Sequence, residues 1–226
     1  MIDRIVDILI SVPCVLIALT FHEFAHALAA YKLGDPTAKY FGRLTLNPLK
    51  HIDIFGAICM LLFRFGWAKS VPIDVRFFKK PRRDMALTAL AGPLTNMLLA
   101  FVGSFIFCFF QAVIVVPDSF LEQSSFLYYS LYAFYSIQLT FIWLNIALAI
   151  FNLIPLPPLD GSRIFLVWLP DRTYFRIMRH ERQIAMIFMA ILILDSYILD
   201  GILTSGLSFT VELIFNGMLS LFSLIF

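Results

Sequence analysis

Residues Val12–Ala30 read VPCVLIALTFHEFAHALAA and form the core of an apolar run from about Ile5 to Ala30. A run of this length and composition is typical of a helix embedded in lipid. Within it, His22 and His26 are four residues apart, so a helix places both imidazoles on one face, one turn apart. Both rings can bind a single Zn²⁺, and Glu23 can act as a general base. The sequence therefore predicts a zinc-dependent hydrolytic site at membrane depth.

The alternative for this motif is a buried polar cluster that binds no metal. Each ionisable side chain near the centre of a spanning helix costs about 2.5–3.5 kcal/mol on insertion scales. Three such side chains fall within the five residues His22–His26. A helix with a purely structural role gains nothing that offsets this cost, so the setting favours a functional site.

The composition predicts a protein that crosses a membrane several times. Hydrophobic residues make up 61% of the 226 residues, charged residues make up 14%, and the mean hydropathy is +0.88. These values lie outside the range of soluble globular proteins and leave room for about five to six transmembrane helices. No stretch resembles a soluble domain or a cleavable signal peptide, so residues 1–226 are expected to form a single integral-membrane domain. The cysteines Cys14, Cys59 and Cys108 are expected to be packed thiols.

The distribution of positive charge predicts the topology. Eleven of the 17 Lys and Arg residues lie between Lys32 and Arg83, and five more lie between Arg163 and Arg182. The positive-inside rule places both regions in the cytoplasm, which brings the predicted metal site nearer the cytoplasmic face of what is expected to be a prokaryotic cell membrane. The predicted spans are Ile5–Tyr31, Asp84–Val116, Phe126–Asn152 with a continuation toward Trp168, Gln183–Leu199 and Ile202–Phe226.

Three further segments complete the predicted fold. Ile54–Phe63 is apolar but too short to span, and both of its flanks are basic, so it is predicted to be re-entrant or interfacial. Lys39–Leu46 and Gly66–Phe78 carry β-branched and aromatic residues between turn signals, which predicts short strands at the cytoplasmic surface. The predicted fold class is an all-α polytopic membrane protein with a re-entrant segment and a small cytoplasmic-side β element.

A third metal ligand is needed, because catalytic zinc sites use three protein ligands and an open position. Asp160 is the best candidate, since it follows three prolines in the stretch Asn152–Gly161, which reads NLIPLPPLDG. Prolines break a helix, and broken helices at membrane depth line a cavity or are buried in protein. The alternative is that Asp160 caps a helix beginning at Gly161.

Four motifs in this order resemble the site-2 protease family of intramembrane zinc metalloproteases. They are His22–His26, Asn47–Asp53, Ala91–Asn96 and Asn152–Gly161. The resemblance covers a catalytic core of about residues 1–170 and leaves residues 183–226 as accessory helices. The chain is expected to be a minimal form, without the PDZ and nucleotide-sensing domains of larger members.

The resemblance implies that His22, His26 and Asp160 bind one Zn²⁺ per chain and that Glu23 is the catalytic base. It also implies that the substrates are single-span proteins within the lipid bilayer, cut by regulated intramembrane proteolysis. No nucleic-acid partner is expected, and the sequence carries no signal for an oligomeric state.

Three polar residues are candidates for binding substrate or supporting the transition state. Asn96 and Asn152 could donate to a carbonyl that develops negative charge, or could instead form hydrogen bonds between helices. His51 could position substrate, or could be an interfacial residue between Lys50 and Asp53. Two other functional classes also stay open: a membrane metal-binding or transport protein, and a protease-like protein that binds clients without cutting them.

Overall fold

The computed structural model describes residues 2–53, 56, 69–114, 125–197 and 202–225. Within these ranges the protein is mostly helical and contains no sheet. Its helices are α1 (Ile2–Lys32), α2 (Thr37–Tyr40), α3 (Pro81–Val113), α4 (Ser125–Asn152), α5 (Asp160–Phe165), α6 (Asp171–Arg179), α7 (Glu181–Tyr197) and α8 (Ile202–Ser223). Short 3₁₀ turns lie at Pro48–Lys50, Val75–Phe77 and Leu166–Trp168.

Four of these helices are long and apolar enough to cross a membrane. The spans are Leu9–Lys32 in α1, Pro81–Val113 in α3, Phe126–Asn152 in α4 and Ser205–Ser223 in α8. The prediction of a polytopic helical membrane protein is therefore confirmed at this level. The total of five to six spans stays a prediction. Helix α7, which corresponds to the predicted span Gln183–Leu199, has 17 residues, at the lower limit of the length needed to cross a membrane. The predicted re-entrant segment Ile54–Phe63 lies outside the described residues, apart from Gly56.

The first predicted strand, Lys39–Leu46, is not seen. Its first two residues end helix α2, and Gly42 adopts a positive φ of 64° that turns the chain. The Arg43 N–H then donates to the Ala38 carbonyl over 2.8 Å. These local hydrogen bonds use the backbone groups that a strand would offer to a neighbour, so the segment folds onto itself.

The second predicted strand, Gly66–Phe78, is also not seen in its described part, residues 69–78. Its backbone contacts carboxylates: the Val71 N–H donates to Glu23 over 3.0 Å, and the Asp74 N–H donates to Asp35 over 2.8 Å. Buried Glu and Asp side chains therefore satisfy these two N–H groups and hold the segment near the C-terminal end of α1.

Helix α3 lies at the centre of the bundle. It packs against α1, α4 and α5, and α8 packs against both α3 and α4. Where α3, α4 and α8 meet they form a buried apolar cluster of Ala100, Phe107, Cys108, Ile142, Ile146, Val211 and Phe222. Because lipid tails are as apolar as these side chains, close packing and interhelical hydrogen bonds have to hold such helices together.

The proline-rich break after α4 returns the chain toward the bundle. The sharp return depends on Gly161, where an added Cβ would lie 2.3 Å from the Leu153 carbonyl oxygen and 2.4 Å from that of Ile154. No side chain fits between these backbone segments, so glycine is required. The return places Asp160, the first residue of α5, opposite α1.

Candidate metal centre

The side chains of His22, His26 and Asp160 converge on one point. His22 Nε2 lies 3.1 Å from Asp160 Oδ2, His26 Nε2 lies 3.2 Å from the same oxygen, and the two Nε2 atoms are 3.0 Å apart. Both histidines are buried, and Asp160 is partly buried. Helix α1 supplies the two imidazoles by its four-residue spacing, and the proline break supplies the carboxylate.

The other ring nitrogen of each histidine has its own partner on α3. His26 Nδ1 lies 2.7 Å from the Thr88 carbonyl oxygen, and His22 Nδ1 lies 2.5 Å from Asn96 Oδ1. A carbonyl oxygen can only accept a hydrogen bond, so each Nδ1 donates, and in the neutral form of each imidazole Nε2 keeps its lone pair. Histidines that bind metal through Nε2 almost always donate Nδ1–H in this way.

Gly92 on α3 leaves the space that the two imidazoles occupy. A Cβ at this position would lie 2.5 Å from His26 Nε2 and 2.6 Å from His22 Cε1. Two imidazoles and one carboxylate, with ligand atoms within 4.8 Å of one another, form a donor set suited to a catalytic zinc ion. The residues present therefore fit the metal.

The capping alternative for Asp160 finds no support in the described hydrogen bonds. Helix α5 follows Leu159 and shows no side-chain cap hydrogen bond at its start. The Asp160 carboxylate instead contacts the two imidazoles.

Glu23 is buried beside this cluster, and the segment Lys69–Val71 binds its carboxylate. Its Oε2 atom accepts the Val71 N–H over 3.0 Å. Arg43, itself buried, holds that segment, because its guanidinium donates to the carbonyl oxygens of Lys69 and Ser70. A backbone amide thus fixes the orientation of the Glu23 carboxylate.

The structure places the three further candidates in different surroundings. Asn96 contacts His22. Both hydrogens of its amide group are used: one is accepted by the Ala18 carbonyl oxygen at 3.2 Å and the other by Asn145 Oδ1 at 2.8 Å.

The other two candidates lie apart from the imidazoles. Asn152 donates to the Leu148 carbonyl oxygen within its own helix over 3.0 Å. His51 is buried, and its Nε2 lies 2.8 Å from the Thr45 carbonyl oxygen. Neither Asn152 nor His51 belongs to the ligand cluster.

Sequence reasoning missed one residue of this network. Asn145 on α4 is fully buried and contacts Asn96. An amide in the apolar stretch Phe141–Phe151 was the available signal, since polar side chains at membrane depth are costly.

Comparison with known proteins adds independent information. The chain matches peptidase family M50 over residues 11–136 and 129–195. Three relatives carry the name "Putative zinc metalloprotease": YwhC of Bacillus subtilis, Rip2 of Mycobacterium tuberculosis and a protein of Methanocaldococcus jannaschii. YwhC is 41% identical over 217 residues, which cover 93% of this chain and 90% of YwhC.

The other two relatives are more distant. Rip2 is 27% identical over 79% of this chain and 64% of its own length. The Methanocaldococcus protein is 32% identical over 72% of this chain and 71% of its own length. No solved structure matches the chain. The match to the family and the extent of the likeness to YwhC show that the chain belongs to peptidase family M50, the site-2 protease family of membrane zinc metalloproteases.

Proposed function

We propose that this protein is an intramembrane endopeptidase that hydrolyses peptide bonds in or near the transmembrane segments of single-span proteins. In this proposal His22, His26 and Asp160 bind one Zn²⁺ per chain, and Glu23 is the catalytic base. The observation that carries the proposal is the convergence of two imidazole nitrogens and one carboxylate oxygen within 4.8 Å.

A zinc ion held by these residues supplies a Lewis acid that polarises the scissile carbonyl and lowers the pKa of water to about 7. Glu23 takes a proton from the attacking water and delivers it to the leaving nitrogen, as the carbon–oxygen bond forms and the carbon–nitrogen bond breaks. The Val71 N–H, 3.0 Å from Glu23 Oε2, keeps the carboxylate in one orientation during both transfers.

The substrate class follows from the site's depth. In α1, His22 and His26 precede Lys32 by six to ten residues, which corresponds to about 10–15 Å at 1.5 Å per residue. This depth and the basic flanking residues support a site within the membrane, nearer its cytoplasmic face. A substrate helix must unwind there to free its carbonyl, so helix-breaking residues near the cut site are expected. The relatives from bacteria and an archaeon support a location in a prokaryotic cell membrane.

A metal transporter is the second candidate class, and the number of possible metal-binding groups argues against it. A transporter would more often repeat its ligand set across spans. Among the residues that the structure describes, His22, His26 and Asp160 are the one group of three side chains placed to hold a metal.

The test compares the wild type with Glu23→Gln in detergent and in liposomes. Zinc content is measured on the samples used for cleavage of single-span model substrates, with and without a Gly/Pro break. Glu212→Gln is the matched control, because Glu212 is exposed on α8. Removing a general base costs about 10²–10⁴-fold in rate. We expect about one zinc per chain in all three proteins, and cleavage by the wild type and the control alone.

The remaining outcomes separate the alternatives. Zinc in every sample with no cleavage of any substrate would support a protein that binds clients without cutting them. Equal cleavage by Glu23→Gln and the wild type would remove Glu23 from the mechanism. A folded wild type without zinc would overturn the proposal.

A further inference from the structure

A chain of hydrogen bonds connects His22 to two other membrane-spanning helices. His22 Nδ1 on α1 contacts Asn96 Oδ1 on α3 over 2.5 Å, and Asn96 Nδ2 donates to Asn145 Oδ1 on α4 over 2.8 Å. Asn145 Nδ2 then donates to the Phe141 carbonyl oxygen over 2.8 Å. Both asparagines are completely buried, so no solvent competes for these bonds.

Two backbone carbonyls determine the direction of this chain. The Phe141 carbonyl can only accept, so it must face the amino group of Asn145, which turns Asn145 Oδ1 toward Asn96. The Ala18 carbonyl likewise faces Asn96 Nδ2, at 3.2 Å. Asn96 therefore has its oxygen toward His22, and only the Nδ1–H form of the imidazole satisfies that oxygen.

We propose that Asn145 is a positioning residue of the zinc site, which acts through Asn96 to keep the Nε2 lone pair of His22 available to the metal. This inference rests on the proposed function. Without Asn145, the Asn96 amide is held by the Ala18 carbonyl alone and has one unpaired hydrogen. A rotated Asn96 would present its amino group to His22 and stabilise the other tautomer, whose Nε2 carries a hydrogen and cannot bind zinc.

The experiment uses two replacements of similar size. Asn145→Asp keeps an oxygen that accepts from Asn96, whereas Asn145→Leu removes every polar atom. Zinc affinity is measured by competition with a chelator on the purified full chain, and thermal unfolding of the metal-free protein is recorded in parallel. Ser104→Ala is the control, because the Ser104 hydroxyl is buried on α3 and donates to the Ala100 carbonyl.

Loss of a group that orients a metal-binding histidine typically weakens metal affinity by about 10–100-fold. We expect a loss of at least about tenfold for Asn145→Leu, a loss of under about threefold for Asn145→Asp, and no change for Ser104→Ala. We also expect the double variant of Asn145→Leu with Asn96→Ala to lose no more than Asn96→Ala alone, since both residues act in one chain.

Three results would overturn the inference while leaving the proposed function intact. They are zinc affinity within about twofold of wild type for Asn145→Leu, equal losses for the Leu and Asp variants, and additive losses in the double variant. A wild type that binds no zinc would overturn the proposed function and this inference together.

Discussion

Replacing Gly92 by alanine should disable the metal centre without removing any ligand. The added Cβ would lie 2.5 Å from His26 Nε2 and 2.6 Å from His22 Cε1, whereas ordinary contact begins at 3.4 Å. The rings must therefore retreat by about 0.9 Å. They cannot do so freely, because Asn96 and the Thr88 carbonyl bind their Nδ1 atoms.

The size of the effect follows from this displacement. Metal ligands have to lie within about 0.2 Å of ideal distances, and a misplacement of about 1 Å in an active site can cost about 10²-fold in rate. We expect Gly92→Ala to lose at least about tenfold in zinc affinity and at least about 10²-fold in cleavage. Crowding in a packed interior should also lower the free energy of unfolding by about 1–3 kcal/mol.

Two other helical glycines provide matched controls for the general effect on stability of replacing glycine by alanine in a helix. On α3 itself, a Cβ at Gly103 would come closest to Ile142 Cγ1, at 3.1 Å, and next to Phe141 Cδ1, at 3.5 Å; at Gly206 on α8 it would meet nothing within 4 Å. Both Gly→Ala variants should bind zinc like the wild type, and Gly206→Ala should be slightly more stable. The assay is zinc competition and substrate cleavage on all three proteins. Normal zinc affinity in Gly92→Ala would refute the argument from ring displacement.

Three further outcomes are expected. Gly161→Ala should lower the melting temperature in thermal unfolding, and should weaken zinc binding, because its Cβ would meet the Leu153 carbonyl oxygen at 2.3 Å; an unchanged transition would contradict this. Arg43→Leu should speed deuterium exchange at the Val71 amide by about tenfold or more, since Arg43 holds the preceding carbonyls; Arg76→Leu, on an exposed side chain, should not. Removing zinc with a chelator should abolish cleavage and lower the melting temperature, and added zinc should restore both.

The helices around the site could be predicted because their sequence signals are strong and local. Apolar runs of spanning length identify α1, α3, α4 and α8, and the motif His22–His26 places two imidazoles on one face. The three prolines before Asp160 correctly indicate where the chain breaks. These features depend on length, periodicity and steric restriction, which a single sequence displays directly.

The second predicted strand, in its described part, failed for the opposite reason. Its residues have β propensity, but the backbone N–H groups of Val71 and Asp74 are bound by carboxylates distant in sequence. Such long-range partners override a local preference, and no local pattern reveals them.

The contacts on α3 were hidden in the same way. Gly92 beside Pro93 indicates close packing, but not that the neighbours are the two imidazoles. Asn96 shows that an amide is present at membrane depth, but not which of its atoms faces His22. Both facts depend on how α1 and α3 are aligned, which is a property of the assembled bundle.

Helix α3 supplies no ligand, yet the atoms that orient both imidazoles and the gap that admits them all belong to it. This division has a consequence for recognising active members among related sequences. A protein could keep His22, Glu23, His26 and Asp160, pass every test based on those four positions, and still be unable to hold its metal because a larger residue replaces Gly92. A definition of a competent peptidase of this kind therefore has to include a position that takes no part in the chemistry.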